Sequence, residues 1–154
     1  MNTEIDLTDA LSDYEAGNYK SAFDSFYAAA ERGDPVAMTQ VAAMYDAGEG
    51  VAPDTEKSIE WDLKAVTAGS TTSILNLGVT YRRHGDIRSA KKWFEKSHSL
   101  GDGEASLELA NLYSVSEKEN DKVRMYLRAA LESNRLSEAS VEAAQLLLDK
   151  LSSY

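Results

Sequence analysis

The fold is decided by residues 35–69, which read PVAMTQVAAMYDAGEGVAPDTEKSIEWDLKAVTAG. The first part places small and large apolar residues on one face of a helix, at Ala37, Val41, Ala42 and Tyr45. The segment from Gly48 to Asp54 supplies glycines for a turn, a proline that ends the helix and an aspartate suited to cap the next one. A second periodic stretch around Trp61 closes at Gly69. This stretch therefore predicts one complete helix–turn–helix unit.

The same unit recurs before and after this stretch. Its closing glycine returns at Gly33, Gly69 and Gly101, at intervals of 36 and 32 residues, and Asn134 holds the fourth place. One first-helix position is always tyrosine, namely Tyr14, Tyr45, Tyr81 and Tyr113. The position three residues before it is small in three copies, at Ala42, Gly78 and Ala110, and is Leu11 in the first copy. These intervals predict about four repeats, over residues 4–33, 34–69, 70–101 and 102–134.

The connections between the paired helices absorb the differences in repeat length. Eight residues separate Tyr45 from Asp54, whereas four separate Tyr81 from Asp86, and loops tolerate such changes at low cost. Asn18, Asp54 and Asp86 each stand fifteen residues before a closing glycine and are predicted N-caps. A last helix over residues 137–151 has no partner helix after it and is expected to cap the array. We therefore expect an all-α array in a single domain, residues 1–154.

These motifs resemble the Sel-one-like repeat family, a relative of the tetratricopeptide repeat, over about residues 4–134. The first-helix motif is matched by Ser73, Leu77, Gly78 and Tyr81, and the loop motif by Gly48, Gly50, Val51 and Asp54. The first copy, around residues 17–23, is closer to a plain tetratricopeptide repeat. The resemblance implies a right-handed α-solenoid with a scaffold role in assembling protein complexes, and it implies no catalytic residues.

The resemblance also implies a concave groove lined by the first helix of each repeat. Groove positions counted from the small residue of each motif are Ile5, Thr8, Ser12, Glu15, Val36, Thr39, Ala43, Asp46, Thr72, Leu75, Val79, Arg82, Glu104, Leu107, Asn111 and Ser114. Arg83 adjoins Arg82 at the third repeat. Their mixture of small apolar, hydroxyl, acidic and basic groups suits an extended or helical protein segment that has an apolar edge and basic groups. Related proteins clamp a C-terminal carboxylate with Lys and Asn at set groove positions. Only Asn76 and Asn111 stand at such positions here, without the lysines, so carboxylate capture is not expected.

The charge of the chain is unevenly distributed. Residues 1–69 carry 14 Asp and Glu against 4 Lys and Arg, giving −10, and residues 70–154 carry 12 against 12, giving zero. This acidity is either ordinary solubility charge or a field that steers a basic partner, with Glu49, Asp54 and Glu56 as steering residues. It repels phosphates and anionic lipid, so neither nucleic acid nor a membrane is expected as a partner. The basic run from Arg82 to Lys96 has three interpretations: a solvated helix face, a docking site for an acidic protein, or a nucleic acid site. The negative net charge of the chain argues against the nucleic acid site.

The residues favour no enzyme, no cofactor and no metal site. Cysteine is absent, which excludes thiolate chemistry and Cys-type zinc sites. Neither His84 nor His98 belongs to a recognisable nucleophile motif, and no EF-hand spacing occurs. The glycines of Gly48-x-Gly50 lack the preceding strand and the following Lys-Ser/Thr of a phosphate loop. The acidic start and the absence of a long apolar run predict a cytoplasmic protein, and we expect a monomer.

Two functions follow as hypotheses. The first is a non-catalytic adaptor that binds a protein partner in its concave groove. The second is an acidic immunity or inhibitor protein that covers the active site of a basic toxin, effector or nuclease, since opposite potentials speed the encounter.

Overall fold

The structure, a computed structural model, describes residues 6–133 and 136–152. Ile5 and Asn134, to which the sequence assigns a groove position and a repeat end, lie outside the described residues. Within those ranges the chain forms nine α-helices, one 3₁₀ helix and no strand. The helices are α1 (Thr8–Glu15), α2 (Tyr19–Glu31), α3 (Pro35–Ala47), α4 (Thr55–Thr67), α5 (Thr72–Arg83), α6 (Ile87–Ser99), α7 (Gly103–Tyr113), α8 (Asn120–Glu132) and α9 (Glu138–Ser152), and the 3₁₀ helix (Glu117–Glu119) precedes α8.

Aspartate side chains begin four of these helices. The carboxylates of Asp34, Asp54, Asp86 and Asp102 each accept a hydrogen bond from the backbone N–H three residues later, at 2.8 to 3.1 Å. Asn18 holds the predicted N-cap position of α2, but its side chain makes no cap bond, because its amide Nδ2 donates instead to Asp13 Oδ1 at 3.3 Å. The glycines that close the first three repeats all have positive φ, between 82° and 102°.

The chain divides into two compact units, residues 1–80 and residues 81–154. In unit 1, Phe26, Val41 and Met44 are fully buried. The ring of Phe23 meets that of Tyr45 edge to face, with ring centroids 5.3 Å apart. Tyr27 and Trp61 make the same kind of contact at 5.3 Å. Ala42 has no exposed surface, as expected for the small position of the motif. The recurring aromatic residues of this unit therefore form its core.

Unit 2 has a separate core built from α6, α7 and α8. Its fully buried side chains include Phe94, Leu109, Val123 and Leu127. The capping helix α9 packs on α8 and buries Ala144 completely. It is also tied to α7, because the Ser140 hydroxyl donates to Glu104 Oε1 at 2.9 Å.

The charge asymmetry coincides with this division. Residues 70–80 hold no charged side chain, so unit 1 carries the whole formal charge of −10 and unit 2 carries zero. Among the helices of the described residues, none is both long enough and apolar enough to cross a membrane.

Candidate functional site

The predicted groove positions of α3 form one stripe along that helix. The stripe consists of Val36, Thr39, Ala43 and Asp46. Their spacings of three and four residues keep the four side chains on one helical face. Val36 is 55% exposed and Ala43 is also exposed, whereas Thr39 and Asp46 are half-buried. The stripe therefore presents two small apolar side chains to solvent beside a partly shielded carboxylate.

The predicted groove positions of α5 that belong to unit 1 are partly accessible. Thr72 is exposed, and Leu75 and Val79 are half-buried. Glu15, at the end of α1, is exposed. The unit 1 positions thus combine aliphatic and hydroxyl groups with acidic ones, and none of them is basic. A ligand that covers them gains from apolar contact and from positive charge.

Thr39 also has a structural role that its groove position does not suggest. Its hydroxyl donates to the Pro35 carbonyl at 2.9 Å and lies 2.9 Å from both the Ser70 and the Ser73 hydroxyl oxygens. Ser73 is fully buried at the start of α5. Thr39 therefore ties α3 to the segment that begins α5.

Asp62 is the main site residue that the sequence analysis missed. It lies on α4, is only 2% exposed and makes hydrogen bonds with the side chains of Ser73 and Asn76. Burial raises the pKa of this carboxyl to about 7; the charge of Asp46 also raises it, against the two hydrogen bonds, which lower it. The signal that could have revealed Asp62 is its place between Ser58 and Ala65 on the buried stripe of α4.

In unit 2 the groove positions differ from one another in accessibility. The Arg82 Nε atom lies 3.4 Å from Glu108 Oε2, and Arg83 is exposed. Asn111 is exposed on α7, whereas Leu107 is 8% exposed and belongs to the buried side of that helix. Leu107 therefore supports the helix rather than presenting a side chain to a partner.

Part of the basic run lies on aromatic rings of unit 2. The Lys91 ammonium stands 3.9 Å from the centre of the Tyr113 ring, and the Lys96 ammonium 5.1 Å from that of Trp93. In these cation–π contacts the two ammonium groups interact with aromatic rings of the same unit. They favour the interpretation of this run as a helix face over that of a dedicated docking site.

Two of the three predicted steering residues hold the loop between α3 and α4. Glu49 Oε2 accepts a hydrogen bond of 2.7 Å from the Tyr14 hydroxyl, and this bond raises the pKa of Tyr14 to about 12. Asp54 caps α4 and lies 3.6 Å from the Lys57 ammonium. Glu56 is exposed in the first turn of α4. Replacing Glu49 or Asp54 would thus alter the loop as well as the charge.

A second concave surface of unit 1 lies outside the groove positions. It is a depression of about 530 Å³ that exposes mainly apolar atoms, and it is lined by Gly33, Met38, Glu60, Leu63, Lys64, Thr67 and Ala68. Leu63 is 40% exposed there.

Residues 6–133 and 136–152 hold no group of three or more His, Cys, Asp or Glu side chains that could bind a metal ion.

The fold is that of solved Sel1 repeat structures. A Sel1 repeat protein from Oxalobacter formigenes aligns with 94% of the chain at 22% identity and a TM-score of 0.75. The protective antigen c5321 of uropathogenic Escherichia coli strains, which displays an SLR fold, aligns with 94% of the chain at 24% identity and a TM-score of 0.80. The alignments span 62% and 32% of those two proteins. They confirm the predicted all-α solenoid of Sel-one-like repeats.

A third structure is more distant. The immunity protein Pa5087 from Pseudomonas aeruginosa aligns with 96% of this chain and 82% of its own at 16% identity, but its TM-score of 0.41 is too low to support any inference. No family model and no curated protein sequence matches the chain.

Proposed function

We propose that the chain is a non-catalytic interaction module that holds a segment of a protein partner against the groove positions of α3 and the start of α5. The observation that carries this proposal is the α3 stripe, on which Val36 and Ala43 are exposed and the carboxylate of Asp46 is half-buried. Its apolar groups lie on rigid helices rather than on loops, so they are ordered before a partner arrives. Pre-ordered contact surfaces reduce the entropy lost on binding.

The composition of the stripe defines the partner segment. Small side chains such as Ala43 leave room for a helix or an extended chain to approach the helix surface closely. The half-buried Asp46 favours a segment that places a lysine or arginine beside an apolar residue.

The experiment is an affinity capture from the native host's lysate at low salt, followed by washes of rising salt and mass spectrometry. An adaptor should retain proteins of one pathway with micromolar affinity and modest salt dependence. Ala43→Arg, which places a large cation in the stripe, should abolish this retention. Leu63→Arg, the matched change in the depression on α4, should not. If Leu63→Arg abolishes retention and Ala43→Arg does not, the groove proposal is wrong and the depression is the binding surface.

A second candidate function is inhibition of a basic toxin, effector or nuclease by covering its active site. The observation that favours it is the confinement of the whole net charge of −10 to unit 1. An acidic surface attracts a basic partner before contact and accelerates association, and salt screens this effect. Such an inhibitor should bind with nanomolar affinity and with an on-rate that falls steeply as salt increases.

Charge-neutralising variants test the second candidate without disturbing the loop. Glu15, Glu31 and Glu56 are exposed in unit 1, and Glu132, Glu138 and Glu142 are exposed in unit 2. Changing the first three to Gln should slow association with a basic partner several-fold at low salt. Changing the second three removes the same number of charges and should have a smaller effect. Equal effects of the two triple variants would show that the position of the charge is unimportant.

A further inference from the structure

A chain of side-chain oxygens connects α3, α4 and α5 inside unit 1. Thr39 Oγ1 lies 2.9 Å from the Pro35 carbonyl oxygen and from the hydroxyl oxygens of Ser70 and Ser73. Ser73 in turn shares a hydrogen bond with the carboxyl group of Asp62. This network of oxygens therefore contains four oxygen–oxygen contacts, and each contact needs one proton to be a hydrogen bond.

The hydroxyl groups supply only three of those four protons. A carbonyl oxygen cannot donate, so the proton of Thr39 must go to Pro35. The contacts of Thr39 with Ser70 and Ser73 then use the protons of the two serines. Ser73 has no second proton to give to Asp62, so the last contact is a hydrogen bond only if Asp62 donates it.

We propose that Asp62 is protonated in the folded chain, and that its proton completes a pH-sensitive lock between α3, α4 and α5. In this arrangement Asp62 donates to Ser73, Ser73 and Ser70 donate to Thr39, and Thr39 donates to Pro35. Ser70 Oγ also accepts from the backbone N–H of Ser73 at 3.2 Å. The inference concerns unit 1 itself and does not depend on what the groove binds.

The surroundings of the carboxyl group agree with a neutral form. Asp62 Oδ1 is buried without a hydrogen-bond partner in the described chain, so the bonds with Ser73 and Asn76 both involve Oδ2. A protonated Oδ2 can donate to Ser73 while it accepts from the Asn76 amide. Oδ1 is then a neutral carbonyl oxygen, which costs less to leave unpaired than a carboxylate oxygen.

The neighbouring charges also oppose ionisation. Asp46, on α3, raises the pKa of Asp62 through its negative charge, and α5 contributes the neutral Ser73 and Asn76. The lysines of α4 are engaged elsewhere, Lys57 with Asp54 at 3.6 Å and Lys64 with Glu60 at 2.7 Å. Burial is the largest contribution to the raised pKa of about 7.

Ionisation of Asp62 should open the lock. A carboxylate requires the proton of Ser73. The single proton of Thr39 then serves either Ser73 or the Pro35 carbonyl, so one of these two hydrogen bonds is lost. In the unfolded chain an aspartate ionises near its ordinary pKa of 3.8, so between about pH 4 and pH 7 the folded state binds one proton more than the unfolded state. Stability contributed by this group therefore falls as the pH rises through that window and is constant above it.

The test is a carboxyl ¹³C NMR titration of the whole chain, with the Asp62 signal assigned from its absence in Asp62→Asn. The midpoint should lie at about pH 7 or above in the unsubstituted chain, because a Ser73 hydroxyl that accepts the carboxyl proton no longer lowers the pKa of Asp62. Thr39→Val keeps the side-chain shape and frees the Ser73 proton for a carboxylate, so the midpoint should fall by about one unit. Thr67→Val removes a similar hydroxyl, which donates to Leu63 on α4 at 3.0 Å, and should leave the midpoint unchanged.

Two results would overturn the proposal. A midpoint near pH 4 in the unsubstituted chain would show that Asp62 is ionised at neutral pH. Equal midpoints in Thr39→Val and the unsubstituted chain would show that burial alone sets the protonation and that the count of protons is irrelevant. If Thr39→Val does not fold, urea unfolding decides instead. The measured quantity is the ratio of the unfolding equilibrium constant of the unsubstituted chain to that of Asp62→Asn. This ratio should rise about tenfold per pH unit between pH 4 and pH 7. A ratio that does not change with pH contradicts the lock.

Discussion

Gly50 is the glycine whose replacement should damage unit 1 most, because two separate costs coincide there. Its φ is +73°, a left-handed conformation that costs an alanine about 1 to 2 kcal/mol. A Cβ atom at Gly50 would also stand 2.2 Å from the backbone oxygen of Tyr19 and 2.5 Å from its carbonyl carbon. The loop after α3 thus rests directly on the first residue of α2, and this explains a glycine at this position of the repeat motif.

Gly50→Ala must therefore push the loop away from α2. Such overpacking costs about 1 to 3 kcal/mol, so the total loss is about 2 to 5 kcal/mol, a large fraction of the stability of an ordinary domain. Gly17→Ala is the matched control, since Gly17 has a φ of +79° but no atom within 4 Å of the added Cβ. That variant should lose only the conformational part, about 1 to 2 kcal/mol.

The assay is urea unfolding of both variants, followed by far-UV circular dichroism and by tryptophan fluorescence, to which Trp61, buried in unit 1, and Trp93 of unit 2 contribute. Gly50→Ala should unfold at a clearly lower urea concentration than Gly17→Ala. If the two variants have the same midpoint, the loop does not rest on α2 as described, and the assignment of Gly50 to a tight backbone contact is refuted.

Three further predictions follow from the helix caps, the core and the Tyr14 hydroxyl. Asp54→Ala should lower the unfolding free energy by about 1 kcal/mol, more than Asn18→Ala, which removes no cap bond; urea denaturation of the two variants would measure the difference. Phe94→Ala should cost about 3 to 5 kcal/mol, because the ring is fully buried, and calorimetry should show a matching fall in melting temperature. The hydrogen bond to Glu49 raises the pKa of Tyr14 from 10.0 to about 12. Between these pH values the folded chain therefore keeps the Tyr14 hydroxyl proton, whereas the unfolded chain loses it. Stability should therefore fall between about pH 10 and pH 12, and Tyr14→Phe should reduce that fall.

The helix pairs were predictable from the sequence because their signals are local. The apolar period, the closing glycines and a capping aspartate such as Asp54 each act within one or two turns of the backbone. The 3₁₀ helix before α8 was not predicted, since residues 117–119 contain no glycine or proline that marks a break. Asn18 stands at the predicted N-cap position of α2, but its side chain makes no cap bond because it donates to Asp13 instead.

The polar interior of unit 1 was not predictable in the same way. Thr39 contacts Ser70 and Ser73, which are 31 and 34 residues away in sequence, and the repeat pattern assigns it only to a groove. The one signal for Asp62 is its place on the buried stripe of α4, and that signal is weak because acidic residues are common in this half of the chain. The burial of Leu107 likewise depends on tertiary packing that a count along one helix does not reveal.

The central claim is that the α3 stripe is the partner-binding surface, and titration calorimetry of a captured partner tests it most directly. The partner should be titrated into the unsubstituted chain, Ala43→Arg and Leu63→Arg, after circular dichroism shows that all three are folded. The account predicts that Ala43→Arg weakens binding at least tenfold, about 1.4 kcal/mol, while Leu63→Arg binds like the unsubstituted chain. Unchanged affinity of a folded Ala43→Arg would contradict the claim.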